Sequence, residues 1–283
     1  MDASVVTDYA DRHPDVALYV DNHADYSNSA TNWLSKHVLH RVVWRHCARV
    51  LEPHARMFWG VLPARVDFLV ENYGLPREKC SLLVMGADDD EVARASRPEV
   101  RAAVRSRFGF SGSDFVVVTG GKIDLAKTQT LLLMDAVLSM GDDVKLLVFG
   151  PVVPELRGEF ESRLREGKVV HVPWADSSEA YDYFSAADVV CFPGRHSVYW
   201  EQTAGMGKPL VVKRWPGTEH VDACGNVLFL ESDRVEEIRC RLTEARSGLE
   251  DGALGEKARR ATRGFMYSDI SRRAIGLEAQ DGA

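Results

Sequence analysis

The sequence lacks every long apolar run. None of its hydrophobic stretches approaches the roughly 18–20 residues that cross a bilayer, and the amino terminus, MDASVVTDYADRHPD, is too polar and acidic for a signal peptide. Cysteine is sparse and unpatterned. Cys47, Cys80, Cys191, Cys224 and Cys240 are odd in number and contain no CxxC, which argues against a disulfide or zinc framework and fits reduced thiols in the cytoplasm. A basic excess is missing too: 42 acidic against 35 basic residues give a net charge of −7, so the chain carries no general nucleic-acid footprint. There is no GxxxxGK[ST] phosphate loop, no GxGxxG dinucleotide fingerprint, no internal repeat and no low-complexity linker. What remains is a soluble chain of 283 residues, 45% hydrophobic, enough for one large or two modest domains.

The densest pattern is ADVVCFPGRHSVYWEQTAGMGKPLVV, Ala187 to Val212. Val189 to Phe192 is a short apolar run of the kind buried in a parallel sheet, and Pro193-Gly194 breaks it. Ser197 is a good N-cap for a helix through Ala204, Gly205 and Gly207 stop that helix, Pro209 forbids its continuation, and Leu210-Val211-Val212 opens a new strand. A helix that starts at the carboxyl end of a strand stands where open α/β sheets place ligands. The N–H groups at Ser197 and Val198 favour an anion there. Glu201, one turn on, is placed to accept hydrogen bonds from a sugar diol, so phosphate followed by ribose is the ligand geometry this stretch suggests.

Around it, strands alternate with helices. Expected strands are Asp15–Val20, Met57–Val61, Ser81–Met85, Phe115–Val118, Lys145–Phe149, Val169–Val172, Val189–Phe192, Leu210–Val212 and Val227–Leu230. Expected helices fall at about Thr31–Leu51, Pro63–Tyr73, Pro98–Phe108, Thr128–Met140, Pro154–Glu166, Ser177–Ala187, Arg234–Ala245 and Glu256–Leu277. The alternation from Asp114 onward means a doubly wound parallel sheet. The segment from Thr31 to Leu51 has apolar rows at Leu34, Val38 and Val42 and at Leu39 and Val43, expected to pack inward. Lys36, His37, His40, Arg41, Arg45, His46 and Arg49 lie on the other face. Residues 34–50 thus read either as a solvated basic face or as a peripheral contact with an anionic membrane. His37 and His40 have an i, i+3 spacing but no third ligand in context, and Asp88-Asp89-Asp90 contains a DxD that reads as a solvated loop before it reads as a metal site. We expect no metal and no resident cofactor.

A second strand-to-helix turn repeats the chemistry of the first. In Gly120-Gly121-Lys122-Ile123-Asp124-Leu125-Ala126-Lys127 the glycines let the backbone come close to a ligand and two lysines stand ahead of a helix. With the Ser197 turn they form a clamp for a diphosphate.

The stretches VVVTGGKIDLAKTQTLLLMDAV, LLVFG, VVHVPWADSSEAYDYFSAADVVCFPG and above all EQTAGMGKPLVV resemble the carboxyl-terminal domain of retaining GT-B glycosyltransferases of the family 4 (group 1) type, whose E-A-M-A-x-G-x-P-V-V the last looks like. Upstream, ARMFWGVLPARVDFLVENYGLPREKCSLLVMGAD resembles the end of that family's amino-terminal domain. The resemblance implies a GT-B-like α/β fold, with a partial amino-terminal, acceptor-side domain over residues 1–107 and a complete Rossmann-like, nucleotide-sugar-binding domain over residues 108–283 with its closing helices.

It also implies transfer of sugar from a UDP or GDP sugar, as substrate, to a glycan or lipid-linked acceptor in polysaccharide biosynthesis, with retention. Lys122 and Lys127 with Gly120 and Gly121 would grip the diphosphate, Ser197 and Val198 would do likewise through their backbone, Glu201 would hold the ribose, and the segment from His171 through Pro173 and Trp174 would border the base. Where the family commonly carries a glutamate near the donor sugar, this chain has Pro193, followed by Gly194-Arg195-His196. Arg195, His196 and, after the first strand, His23 are the candidate catalytic side chains. The family's amino-terminal domain has several further βα units, so two alternatives stand beside the transferase. One is a nucleotide-sugar-binding subunit or inactive truncated homologue completed by a partner chain or by dimerisation. The other is a nucleotide-sugar epimerase.

Overall fold

The computed structural model describes residues 3–30 and 32–277 and divides the chain into two compact units. The first takes the described residues up to Val84, with Pro216–His220 and those from Ile270 on; the second is Met85–Trp215 with Val221–Asp269.

In the first unit α1 (Ala3–Arg12), absent from the sequence reading, precedes β1 (Leu18–Asn22), two to three residues later than expected. A short α2 (Tyr26–Ser29) is capped by Asp25, whose carboxylate accepts from the N–H groups of Ser27 and Asn28. A wide helical segment with i→i+5 bonding (Ser35–Trp44) runs straight into α3 (Arg45–Leu51); the expected start at Thr31 lies outside the described residues. β2 (Ala55–Gly60), α4 (Pro63–Phe68, extended by a wide turn to Tyr73) and β3 (Cys80–Leu82) complete a three-stranded parallel sheet in the order β1-β2-β3. Phe58, Val66, Phe68, Leu69 and Tyr73 form its core.

The helix before β2 corrects the sequence reading. Leu34, Val42 and Val43, expected to pack inward, are exposed, and the buried positions are Ser35, His40 and Ala48. His40, assigned to the solvent face, has both ring nitrogens in use, one 2.7 Å from Ser29 Oγ and the other 3.0 Å from Tyr73 Oη. Burial lowers its pKa, which suits a neutral ring that donates on one side and accepts on the other. His37 packs instead beside the exposed Trp33. The two histidines share no ligand position.

The second unit begins with α5 (Asp89–Ala95) and α6 (Pro98–Arg107) and builds a six-stranded parallel sheet. Its chain order is β4 (Phe115–Gly120), α7 (Gln129–Leu138), β5 (Val144–Phe149), α8 (Pro154–Glu161), β6 (Val169–Val172), α9 (Ser177–Ala186), β7 (Val189–Phe192), α10 (Tyr199–Gly205), β8 (Leu210–Lys213), β9 (Val227–Leu230), α11 (Val235–Glu250) and α12 (Ala253–Ala261); α13 (Tyr267–Ala274) starts in this unit and ends in the first. The strands lie in the order β6-β5-β4-β7-β8-β9.

Because side chains alternate across a strand, Phe115, Val117, Leu146, Val148, Val189 and Cys191 face α7, α8 and α11 in one core. Phe149 and Phe192 face the other way, into an aromatic cluster with Tyr183, Phe184 and Tyr199. Both faces are covered, which is why these strands read as unbroken apolar runs.

The expected domain boundary at 107/108 is displaced to Val84/Met85, because α5 and α6 are anchored to the second unit. Asp88 caps α5 through the N–H groups of Asp90 and Glu91, and Asp89 accepts from Ser268, so the DxD serves helix capping and a loop tie. Arg101 and Arg105 of α6 reach the carboxyl end of α9: Arg101 donates to the carbonyls of Ser185, Ala186 and Ala187, and Arg105 to Ala186, while Asp188 receives both guanidinium groups at 2.6 and 2.7 Å.

Lys208 adds a third cation to the same helix end, donating to Ser185 and Ala187. Burial, then the Arg101 charge, push its pKa down to about 7 against the pull of Asp188. The unfolded chain therefore holds the Lys208 proton more tightly, and the stability linked to this lysine rises with pH from about 7 toward its ordinary value, then falls away again on acidification. Thermal unfolding compared between the wild type and Lys208→Met should show that difference as a slope of about 1 kcal/mol per pH unit between pH 7.5 and 9.5; parallel pH profiles would contradict it.

Candidate functional site

Strand order reverses between β4 and β7: the chain leaves β4 toward β5 and β6, then returns to β7 and proceeds to β8 and β9. Loops at the carboxyl ends of two such strands diverge and leave a crevice between them. The pocket found there is lined by the loop after β4 (Gly120, Gly121, Lys122, with Lys127) and the loop after β7 (Pro193 to Arg195, with Ser197).

On the β4 side the lining at Gly120 and Gly121 is backbone without a side chain. Gly121 has φ +104°, and the N–H of Gly121 donates to the Phe149 carbonyl at 3.0 Å. Gly150, with φ +117°, faces it so closely that a Cβ would stand 2.3 Å from the Gly121 carbonyl oxygen. A Cβ on Gly120 would enter the Phe149 ring.

The lysine loop is held from both ends. The Ile123 N–H donates to Pro151 and the Ile123 carbonyl accepts from Val153, while Asp124 receives the N–H of Ala126 and its carbonyl that of Lys127. Lys122 is exposed, with Asp124 at 3.9 Å. Lys127 is half-buried, and desolvation lowers its pKa against the opposing Asp124 charge. A desolvated ammonium gains most from an arriving anion.

On the β7 side the structure shifts the expected helix start. α10 begins at Tyr199 rather than Ser197; Ser197 Oγ is 3.5 Å from the Tyr199 N–H, and Val198 makes no side-chain cap. Ser197 lines the pocket, whereas Val198 does not. The loop is braced by Trp215, whose indole N–H donates to the Gly194 carbonyl at 3.2 Å.

Glu201 is fully buried, with Oε1 2.7 Å from His196 Nε2, and the ring of His196 meets Trp200 edge-on at 5.0 Å. Sequence reasoning named both residues and missed their pairing, which depends on the turn between them. Arg195 reaches the pocket rim; His196 is engaged beneath it. His23 stands in the first unit, exposed after β1, and its carbonyl accepts from Asn28.

At the end of β6 the His171 ring is 2.9 Å from the Gly150 carbonyl, and Pro173 and Trp174 follow it, Trp174 being 70% exposed. An exposed indole at the strand's carboxyl end offers a flat apolar face.

The fold is that of the GT-B glycosyltransferases. HepE of Anabaena, solved with UDP, superposes with a TM-score of 0.71 at 18% identity over 96% of this chain and 75% of that one. WaaG, a glycosyltransferase involved in lipopolysaccharide biosynthesis, gives a TM-score of 0.64 at 15% identity over 98% and 81%.

In sequence the chain is similar to mannosylfructose-phosphate synthase of Agrobacterium fabrum, 25% identical over 186 residues, a match that spans 60% of this chain and 38% of that protein. No family model matches. Likeness at these identities carries the fold and leaves the reaction to the chemistry of the site.

Proposed function

We propose that this protein is a retaining glycosyltransferase that uses a nucleotide-diphosphate sugar, a UDP or GDP sugar, and transfers it to a glycan or lipid-linked acceptor. The observation that carries the reading is the facing of two loops across the switch point, with Gly120-Gly121-Lys122 and Lys127 on one side and Pro193 to Ser197 on the other. Lys122, Lys127 and the open backbone hold the diphosphate, Ser197 meets it from the α10 side, Glu201 oriented by His196 serves the ribose, and Trp174 borders the base. In the transfer, the bond from the sugar C1 to the β-phosphate oxygen breaks and its electron pair leaves with the diphosphate. The acceptor hydroxyl bonds to C1 on the same face, and its proton passes to the departing phosphate. Fixed cations aimed at the developing charge supply the electrostatic stabilisation.

Calorimetric titration with UDP, GDP and their sugar conjugates tests this. One base is expected to bind at micromolar affinity with the same constant in EDTA. Absence of binding to every ligand overturns the donor site, and loss of binding in EDTA overturns the lysine-based clamp.

The acceptor class draws support from the first unit. Trp33 and Val42 are 71% and 60% exposed, Leu34 and Val43 are also exposed, and Lys36, Arg41 and His46 stand among them. No helix among the described residues is long and apolar enough to cross a membrane. An apolar stripe with a basic border in an acidic protein fits the surface of an anionic bilayer, where each basic residue is worth about 1 kcal/mol. Vesicles containing phosphatidylglycerol should therefore sediment the protein and neutral phosphatidylcholine vesicles should not. Trp33→Ser combined with Val42→Asp is expected to weaken that binding at least fivefold; equal sedimentation by both vesicle types would remove the membrane from the reading.

A further inference from the structure

The polar side chains that line the pocket are donors or hydroxyls: Lys122, Lys127 and Arg195 with Thr119, Thr130 and Ser197. No carboxylate or carboxamide is among them. The hydroxyl groups of a neutral hexose both donate and accept, and such sugars are best met by carboxylates and amides. A donor-rich wall suits a ligand that carries an acceptor-only anionic group as well as its hydroxyls.

The lysines and the hydroxyls have work to do on the diphosphate in the reading given above, on which this inference rests. In that reading the ligand advances along one segment of chain, with ribose at Glu201, phosphate at Ser197, and the transferred sugar beside the residues before Ser197. Pro193 has no N–H, Gly194 has no side chain, and its carbonyl is held by Trp215. His196 is turned to Glu201. Arg195 is therefore the side chain this wall presents to the sugar. It is exposed at the pocket rim, and among the described residues no ion pair or hydrogen bond engages its guanidinium.

We infer that Arg195 reads a carboxylate on the transferred sugar, so that the donor is a nucleotide-activated uronic acid. A planar guanidinium offers two parallel N–H groups to a carboxylate in a geometry that a hexose hydroxymethyl group cannot reproduce. Arg195 thereby acts as a specificity residue: it selects the substrate by the oxidation state of its sixth carbon, and the lysine clamp grips the part that all such donors share.

The test is a set of paired titrations of the full chain, UDP-glucose against UDP-glucuronate and GDP-mannose against GDP-mannuronate, with UDP and GDP alone as references. In the wild type the uronate of the accepted base should bind at least tenfold more tightly than the neutral sugar, and in Arg195→Gln that ratio should fall to within twofold of unity. Arg195→Lys should restore only part of it, because a point charge keeps the attraction and loses the paired geometry. Equal affinity for neutral and acidic sugars in the wild type, or a preference that survives in Arg195→Gln, overturns the inference. If Arg195→Gln instead weakens the free nucleotide diphosphate as much as its sugar conjugates, Arg195 belongs to the diphosphate clamp and the inference falls while the donor site stands. If the nucleotide diphosphates themselves fail to bind the wild type, both fall together.

Discussion

Replacing Asp188 by alanine is expected to remove about 3 kcal/mol of stability from the second unit, the low end of the loss when one partner of a buried ion pair is deleted, because Arg105 is buried while Asp188 and Arg101 are partly exposed. The carboxylate sits one residue before β7 and accepts from Arg101, Arg105 and the Val116 N–H at 2.6–2.7 Å. Arg105 is buried, and its remaining N–H groups are committed to the carbonyls of Ala186, Ser111 and Asp114, so its charge has nowhere to move when the carboxylate goes. The variant also strips an acceptor from the first turns of β4. Urea unfolding followed by tryptophan fluorescence measures the effect. Asp188→Asn, which keeps the size and one acceptor, should lie between the wild type and Asp188→Ala; a loss under 1 kcal/mol in the alanine variant would show that the arginines find other partners.

Lys127→Ala should do the opposite to the two observables: leave the fold at least as stable and weaken nucleotide-diphosphate binding by about 10- to 100-fold, as expected for loss of a charge-assisted hydrogen bond. Its ammonium is desolvated in the unliganded protein, which is why its pKa is lowered, and removing a charge held under that strain costs the fold nothing. The same lowering gives binding a pH dependence. An anion binds the protonated lysine, so affinity declines as the solution is made alkaline through the lowered pKa, and this decline should be absent from Lys127→Ala. Calorimetry at pH 7 and pH 9.5 reads both effects. Unchanged affinity in the variant would remove Lys127 from the site.

The strands of the second unit were legible because each is an apolar run bounded by glycine, proline or a charged turn, and a strand covered on both faces has no other signature. The loops that line the pocket were legible as glycine-bearing turns at strand ends, whereas the part given to their lysines rests on the proposed function. The helix of residues 35–51 was misread because a helical periodicity says which residues share a face and not which face is buried. Here the buried face was decided by His40, which finds Ser29 and Tyr73, groups 11 and 33 residues away. The domain boundary was hidden for the same cause, since the arginines that tie α6 to α9 meet Asp188 more than 80 residues on. Local pattern shows neither. α1 was passed over because a polar, acidic segment was weighed as a leader sequence and not as a helix.

The glycine-lined side of the pocket has a consequence for how such a protein diversifies. A side chain at Gly120 would collide with Phe149 and one at Gly150 with the Gly121 peptide, while Gly121 holds a φ of +104° that other residues rarely adopt, so natural variation has almost no room to alter the shape there. In the proposed function, the diphosphate therefore meets an unchanging surface there. The tip of the loop after β7 carries an exposed side chain instead, and a substitution at its crest leaves the sheet untouched. New substrate preferences can therefore be tried at the rim, one residue at a time, without disturbing the grip on the group that all the substrates have in common.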